Sequence, residues 1–259
     1  MAVKKFKYIY GPVPSWRLGE SLGIDLLSGK NKPCSFDCIY CQLGKTYPRT
    51  LKRKLYVPTE KIIEEIKALP DIHIDYITFS GRGEATLASN LGEAIKALRR
   101  LRREPIAVLT NACLLNDKKV REELALADLV ALKLDAPSQG LLNSINQPAR
   151  RVKFAAILEG IKEFRKEYRG KLALQIMFVR GNASFAEDIA KLARDIRPDE
   201  VQINTPRRRS PVKPLSRSAI LKIKKAFSGM NVISVYDAKH KKTRPLSAKD
   251  TRRRRGKTL

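Results

Sequence analysis

Histidine is nearly absent from this chain of 259 residues, with His73 and His240 the whole complement. A mixed Cys/His zinc site would draw on one of them, and both lie far in sequence from the cysteine-rich stretch. Cysteine is scarce too: there are four, and three crowd together, so that Cys113 stands alone. With three cysteines crowded together and Cys113 left unpaired, the set suits a reducing compartment and not a disulfide framework. Long apolar runs are missing. Nothing near the N-terminus has the length of a signal peptide, and no stretch approaches a membrane span. A cytoplasmic protein without a membrane partner is expected. Acidic residues are few, 26 against 53 Lys and Arg, giving a formal charge of +27.

That surplus is not confined to one end. Residues 239–259 hold ten Lys/Arg against Asp250 alone, a share of +9 that leaves +18 for the rest of the chain. The body itself therefore presents positive surface, the electrostatic footprint of a polyanion binder, and nucleic acid is the expected partner. A merely solvated Lys/Arg-rich surface is the alternative.

Against this background stands the cysteine stretch, Cys34, Cys38 and Cys41 at C-x3-C-x2-C spacing. Three thiolates so close can wrap only a compact soft-metal centre, and iron–sulfur clusters use thiolate ligands. A four-iron cubane takes four ligands, so three cysteines leave one iron open to hold something that reacts. A zinc knuckle and a chance cluster of buried thiols are the competing readings. Cys113 reads as a single buried thiol.

Apolar spacing divides the remainder into alternating elements. Strands are expected at residues 22–27, 75–79, 105–109, 129–134, 172–179 and 201–204, with helices from Thr59 to Pro70 and at 91–101, 120–126, 152–168 and 185–196. Six strand-then-helix units with near-continuous apolar strands argue for a parallel sheet with right-handed crossovers, covered by helices on one side. A helix at 216–227 and a strand at 231–236 follow, then a basic tail from 238 that reads as disordered. The catalytic domain is thus expected over 1–237 and the tail over 238–259.

Other candidates sit at the C-terminal ends of these strands, where βα loops gather reactive groups. Gly81-Arg82-Gly83-Glu84 follows the second strand; its glycines allow close backbone approach, and the acid can pair an ammonium group. Thr110 and Asn111 end the third strand. In the fourth, period-two alternation puts Lys133 and Asp135 on one face, as a structural ion pair or as lining of the site. Asn182, Gln202 and Asn204 fall on the same rim.

The cysteine motif, with Tyr40 before its last member, resembles the signature of the radical S-adenosylmethionine (SAM) superfamily. The flanking residues Tyr8 to Ser15, Leu18-Gly19 and Ser21 to Asp25 narrow the resemblance to small proteins grouped with the wyosine-type tRNA synthases, and it runs from about Tyr8 to Pro211. It implies an α/β fold, a partial (βα)6 barrel open on one side, and an enzyme. It implies a 4Fe-4S cluster on Cys34, Cys38 and Cys41, with SAM chelating the open iron through its methionyl amine and carboxylate. Gly81, Gly83 and Glu84 would hold that amine, with Asn111, Asp135 and Asn182 as further cofactor contacts and Lys133 as a candidate catalytic group. An electron donor for the cluster is implied as a partner, with RNA, tRNA in particular, as substrate. Wyosine-type synthesis uses a second cluster with three further cysteines, which this chain lacks. Protein or peptide modification therefore stays open as a substrate class, and a non-catalytic, zinc-holding RNA-binding protein stays open as the rival of another kind.

Overall fold

The computed structural model describes residues 6–29, 31–237 and 243–256. Strands β1 (Ile9–Ser15) and β2 (Gly19–Ile24) form an antiparallel hairpin; β3 (Tyr76–Phe79), β4 (Ile106–Thr110), β5 (Leu129–Lys133), β6 (Lys171–Met177), β7 (Glu200–Asn204) and β8 (Val232–Ser234) then add in chain order, each parallel to its predecessor. The helices are α1 (Thr59–Lys67), α2 (Leu91–Arg99), α3 (Lys118–Leu124), α4 (Gln139–Ile145), α5 (Phe154–Glu167), α6 (Ala186–Ile196), α7 (Arg217–Ala226) and α8 (Ala248–Arg255). The six expected strand-then-helix units are β2 to α7, with β1 and β8 as the two edges of an open, curled sheet. Among the described residues no helix is long and apolar enough to cross a membrane.

The two faces of the sheet differ because the strands alternate. Leu22, Ile77, Val108, Val130, Leu132 and Leu174 point outward into one core with the apolar stripes of the helices, such as Ile62 and Ile66 of α1 or Ile189 and Ala193 of α6. The opposite face carries small and polar side chains: Ser21 and Thr78 share a hydrogen bond of 2.7 Å, and Ala107, Ala131 and Ala173 pack around Leu18 of the hairpin turn. Short side chains there leave room inside the half-barrel.

Three differences from the sequence reading have local causes. The turn-rich opening forms β1 despite Pro12 and Pro14, because an edge strand tolerates residues without an N–H donor; the register shifts between Tyr10 and Val13. Thr59, expected to cap α1, is its first residue, and its hydroxyl instead accepts from Asn90 Nδ2 at 3.0 Å. Residues 243–256, expected to be part of a disordered tail, pack on the body. Ser247 caps α8, and the Thr251 hydroxyl of that helix accepts from Gly11 N of the edge strand at 3.3 Å. Arg254 is buried and pairs with Asp25 at 3.1 Å, also donating to Ser28 Oγ and the Lys7 carbonyl. The rest of the basic tail, residues 238–242 and 257–259, lies outside the described residues.

Candidate active site at the cysteine loop

Beyond β2 the chain runs through a long loop that carries all three clustered cysteines, and backbone bonds fix it from two sides. On one side the amide of Glu84 donates to the Pro33 carbonyl at 3.0 Å. On the other, Ile39 donates to Ile145 at 3.0 Å and Ala149 to Ser35 at 2.8 Å, the latter beside a bridge between Phe36 and Pro148. The loop is thus clasped between the turn after β3 and the segment after α4.

Each of the three sulfurs receives a nitrogen donor. Asn111 Nδ2 approaches Cys34 Sγ at 3.8 Å, Asn146 Nδ2 lies 3.4 Å from Cys38 Sγ, and Lys32 Nζ lies 3.3 Å from Cys41 Sγ. Burial pushes the Cys34 thiol up, and it pushes Cys38 up to about 11 against the nearby charge of Lys133. Thiolates in such a setting are costly unless a cationic centre binds them, and hydrogen bonds to sulfur are a usual means of tuning a cluster. The donor set fits an iron–sulfur centre, which Cys34, Cys38 and Cys41 could hold. Cys113 is buried near Ser35, and burial pushes its thiol up to about 12.

The glycine loop is shaped by close approach. Gly81 and Gly83 have φ of 143° and 125°, in the region that disfavours side chains. A Cβ on Gly83 would overlap the Pro33 carbonyl oxygen, and one on Gly81 would overlap Asp25. Glu84 is buried and saturated by protein donors: Oε1 accepts from Thr110 Oγ1 at 2.6 Å, Thr86 Oγ1 at 2.8 Å and Thr86 N at 3.1 Å, and Oε2 from Asn111 N at 2.7 Å. Its carboxylate therefore braces the ends of β3 and β4, and the exposed lining of the loop is backbone. Burial holds the Glu84 carboxyl above the usual range, although these donors pull it down.

Asp135 is the hub of the other flank. It accepts from the Tyr40 hydroxyl, from Asn146 Nδ2 at 2.7 Å and from Met177 N at 2.7 Å, and Lys133 Nζ lies 3.5 Å away. The shared face expected for Lys133 and Asp135 is present as an ion pair, and Lys133 also lies 5.0 Å over the Tyr40 ring. A buried carboxylate with this many partners positions its neighbours. Asn182 sits beneath: its amide donates to the Asp135 and Met177 carbonyls at 2.9 and 3.0 Å and accepts from Val179 N at 2.8 Å. All its polar atoms are taken, so it supports the rim from within. Gln202 and Asn204 lie on the inner face of β7, and Gln202 bonds Glu200 at 2.8 Å. Sequence reasoning missed Asn146 and Lys32, whose only signal is that Lys32 lies two residues before Cys34.

An open half-barrel with three clustered thiols at its mouth defines a class of protein. The family model described as the Radical SAM superfamily matches residues 32–209. Among curated proteins the chain is 43% identical over 208 residues to a UPF0026 protein of Synechocystis sp., covering 80% of this chain and 78% of that one. Two solved structures share the fold at low identity. SuiB of Streptococcus suis bound to S-adenosylmethionine superposes with a TM-score of 0.62 at 15% identity, over 79% of this chain, which spans only 48% of SuiB. Archaeal TYW1 gives a TM-score of 0.58 at 16% identity, over 85% of this chain and 74% of that one. The chain belongs to the radical SAM superfamily and, within it, to the UPF0026 proteins. It is an enzyme of that class.

Proposed function

We propose that this enzyme holds a 4Fe-4S cluster on Cys34, Cys38 and Cys41, cleaves SAM reductively beside it, and acts on RNA, tRNA in particular. One observation carries the cofactor part: three sulfurs, each with a nitrogen donor, lie on a loop bonded through Pro33 to a turn whose two glycines expose backbone. The zinc alternative is less well supported, since the Radical SAM family model matches the segment that carries Cys34, Cys38 and Cys41.

Held by Cys34, Cys38 and Cys41, a reduced cluster would supply the electron for cleaving the sulfonium C–S bond of SAM, and with it the radical chemistry by which hydrogen would be taken from a substrate. The chain's own residues do the positioning. Gly81 and Gly83 let the turn pack directly against Asp25 and Pro33, which would set its main-chain groups beside the cysteine loop for the methionyl end of SAM, and Glu84 keeps that turn rigid from behind. Tyr40, Asn146 and Asp135 hold the Cys38 side of the loop, and the Lys133 charge favours the Cys38 thiolate. Lys133, engaged by carboxylate and ring, is a positioning group here rather than a catalytic one.

The RNA part rests on charge placement. Exposed Lys45, Arg49, Arg150, Arg151, Arg180 and Arg207 all lie on segments that follow β2, β5, β6 and β7, the end of the barrel where the thiols sit. Among the described residues those segments carry no exposed carboxylate. A polyanion would be drawn to that face. The test is anaerobic incubation of the reconstituted enzyme with SAM, reductant and total tRNA. The expected products are 5'-deoxyadenosine and an altered nucleoside; 5'-deoxyadenosine without any changed nucleoside removes RNA, and no 5'-deoxyadenosine removes the reading as a whole.

A further inference from the structure

Inside the half-barrel lies a group of like charges that the cysteine site does not use. Arg17 projects from the β1–β2 turn, whose next residue, Leu18, packs among the inner-face residues Ala107, Leu129, Ala131 and Ala173. Its Nε and Nη1 are buried and have no hydrogen-bond partner among the described residues. Arg208 follows β7 and donates from Nη1 to the Arg255 carbonyl at 3.0 Å. Arg255 is the last residue of α8, and the next residue, Gly256, abuts Gln42 beside Cys41. Helix α8 therefore brings Arg255 across the open side of the sheet toward the cysteine loop. Tyr10, on the inner face of β1 with its hydroxyl 2.8 Å from Ser80 Oγ, completes the group.

Among the described residues no carboxylate forms an ion pair with these three guanidiniums. Burial and the neighbouring Arg255 bring Arg17 down to about 10, and burial with Arg255 and Arg17 does the same to Arg208. The one carboxylate that attracts Arg17 is Glu200. It is already held by Lys171 at 2.6 Å and Gln202 at 2.8 Å. Like charges gathered in a partly closed space cost stability unless an anion joins them. A carboxylate brings one charge and one fork of oxygens, whereas a phosphate monoester brings nearly two charges and three oxygens, the better match for three guanidiniums.

We infer that Arg17, Arg208 and Arg255 form a phosphate-ester subsite inside the barrel, completed by the C-terminal helix α8, that anchors a nucleotide phosphate of the substrate. This deepens the reading of the barrel as the place where a nucleic acid substrate reacts, and rests on it. The phosphate can belong to a free nucleotide or to the 5' end of an RNA, and the ligands chosen for the test separate these.

Full-length, anaerobically reconstituted protein is titrated calorimetrically with the four 5'-mononucleotides, their nucleosides and a short 5'-phosphorylated RNA. Nucleotide or RNA is expected to bind about ten-fold or more tightly than nucleoside, as charge-assisted bonds to phosphate require. Arg17→Gln and Arg255→Gln should each remove about that factor, while Arg252→Gln, on the exposed side of α8, changes mononucleotide affinity by less than about two-fold. Tight binding by mononucleotide assigns the free nucleotide; tight binding by the RNA alone assigns the polymer. A second reading guards against misfolding: inorganic pyrophosphate should raise the melting temperature of wild type more than that of Arg17→Gln. Nucleotides and RNA binding no better than nucleosides, equal effects of all three substitutions, or equal pyrophosphate shifts would each overturn the inference. Phosphate discrimination lost with SAM cleavage intact defeats this inference alone, and the reverse outcome defeats only the cofactor reading.

Discussion

The Pro33 carbonyl accepts the amide of Glu84 at 3.0 Å and occupies the space where a side chain on Gly83 would begin. This single junction couples the loop that carries the sulfurs to the turn proposed to hold SAM. Gly83→Ala meets both a φ of 125° and an overlap with backbone, which cannot swing aside as a side chain can. The backbone strain alone is on the order of 1 to 3 kcal/mol. We expect this variant to lose SAM affinity by about ten-fold or more, for each 1.4 kcal/mol of displacement at the site. Gly140, in α4 with open space around it, is the control: Gly140→Ala should stabilise the fold by about 0.5 to 1 kcal/mol and leave SAM affinity unchanged. Calorimetry on both variants decides the matter, and equal SAM affinity would separate the two loops.

Glu84 gives a pH signature. Burial raises its carboxyl above the ordinary glutamate value, so over the interval between the two values the folded state binds more protons than the unfolded state. Stability from this group is therefore present below the ordinary value and lost as pH rises through the raised one. Glu84→Gln mimics the protonated form and lacks that loss. Denaturant midpoints taken from about pH 4 to 8 should show wild type falling relative to Glu84→Gln as pH increases. A gap that stays constant or moves the other way would contradict the assignment.

The Arg254–Asp25 pair predicts that the C-terminal helix is structural. Both side chains are buried, and removing one partner of such a pair leaves a charge without compensation, costing about 3 to 5 kcal/mol. Arg254→Met should lower the denaturation midpoint, and Asp25→Asn added to it should recover most of the loss. Because burial already raises the Asp25 carboxyl, the loss should shrink toward acid pH. An unchanged midpoint in Arg254→Met would mean that α8 does not dock in solution.

How much is legible in the sequence depends on which force places each element. The six βα units follow from apolar periodicity, as at Ile62 and Ile66 or Ile189 and Ala193, and burial is what writes that pattern. Strand β1 is hidden by Gly11, Pro12 and Pro14, residues that usually mark turns and that an edge can absorb. Helix α8 is hidden for a different reason. Its one buried residue is Arg254, so four consecutive arginines from Arg252 show no apolar stripe, and a block of like charge looks like a solvated tail. In the site, the cysteine spacing is legible because it is local. Asn146 is not, since its approach to Cys38 spans 108 positions and no pattern in the segment after α4 announces it.

RNA binding should carry a salt dependence set by the mouth of the barrel. For every phosphate that the protein no longer neutralises, the slope of log affinity against log salt becomes shallower by about 0.9 on a duplex and about 0.7 on a single strand. Replacing Arg150 and Arg151 together by Gln should flatten the slope by the share of about one to two phosphates, whereas Lys61→Gln, exposed on α1 and paired with Glu64, should leave it unchanged. Equal slopes for both variants would move the polyanion away from this face.

The cysteines that hold iron decide whether the site has an open iron. Iron and sulfide content, with the electron paramagnetic resonance of the reduced protein before and after SAM addition, should be measured after anaerobic reconstitution of wild type and of Cys34→Ala, Cys38→Ala, Cys41→Ala and Cys113→Ala. About four irons and a SAM-sensitive signal are expected in wild type and Cys113→Ala, and loss of both in each of the other three. If Cys113→Ala lost the cluster as completely as Cys38→Ala, or if wild type took up a single zinc ion and no iron, the open-iron site would be contradicted.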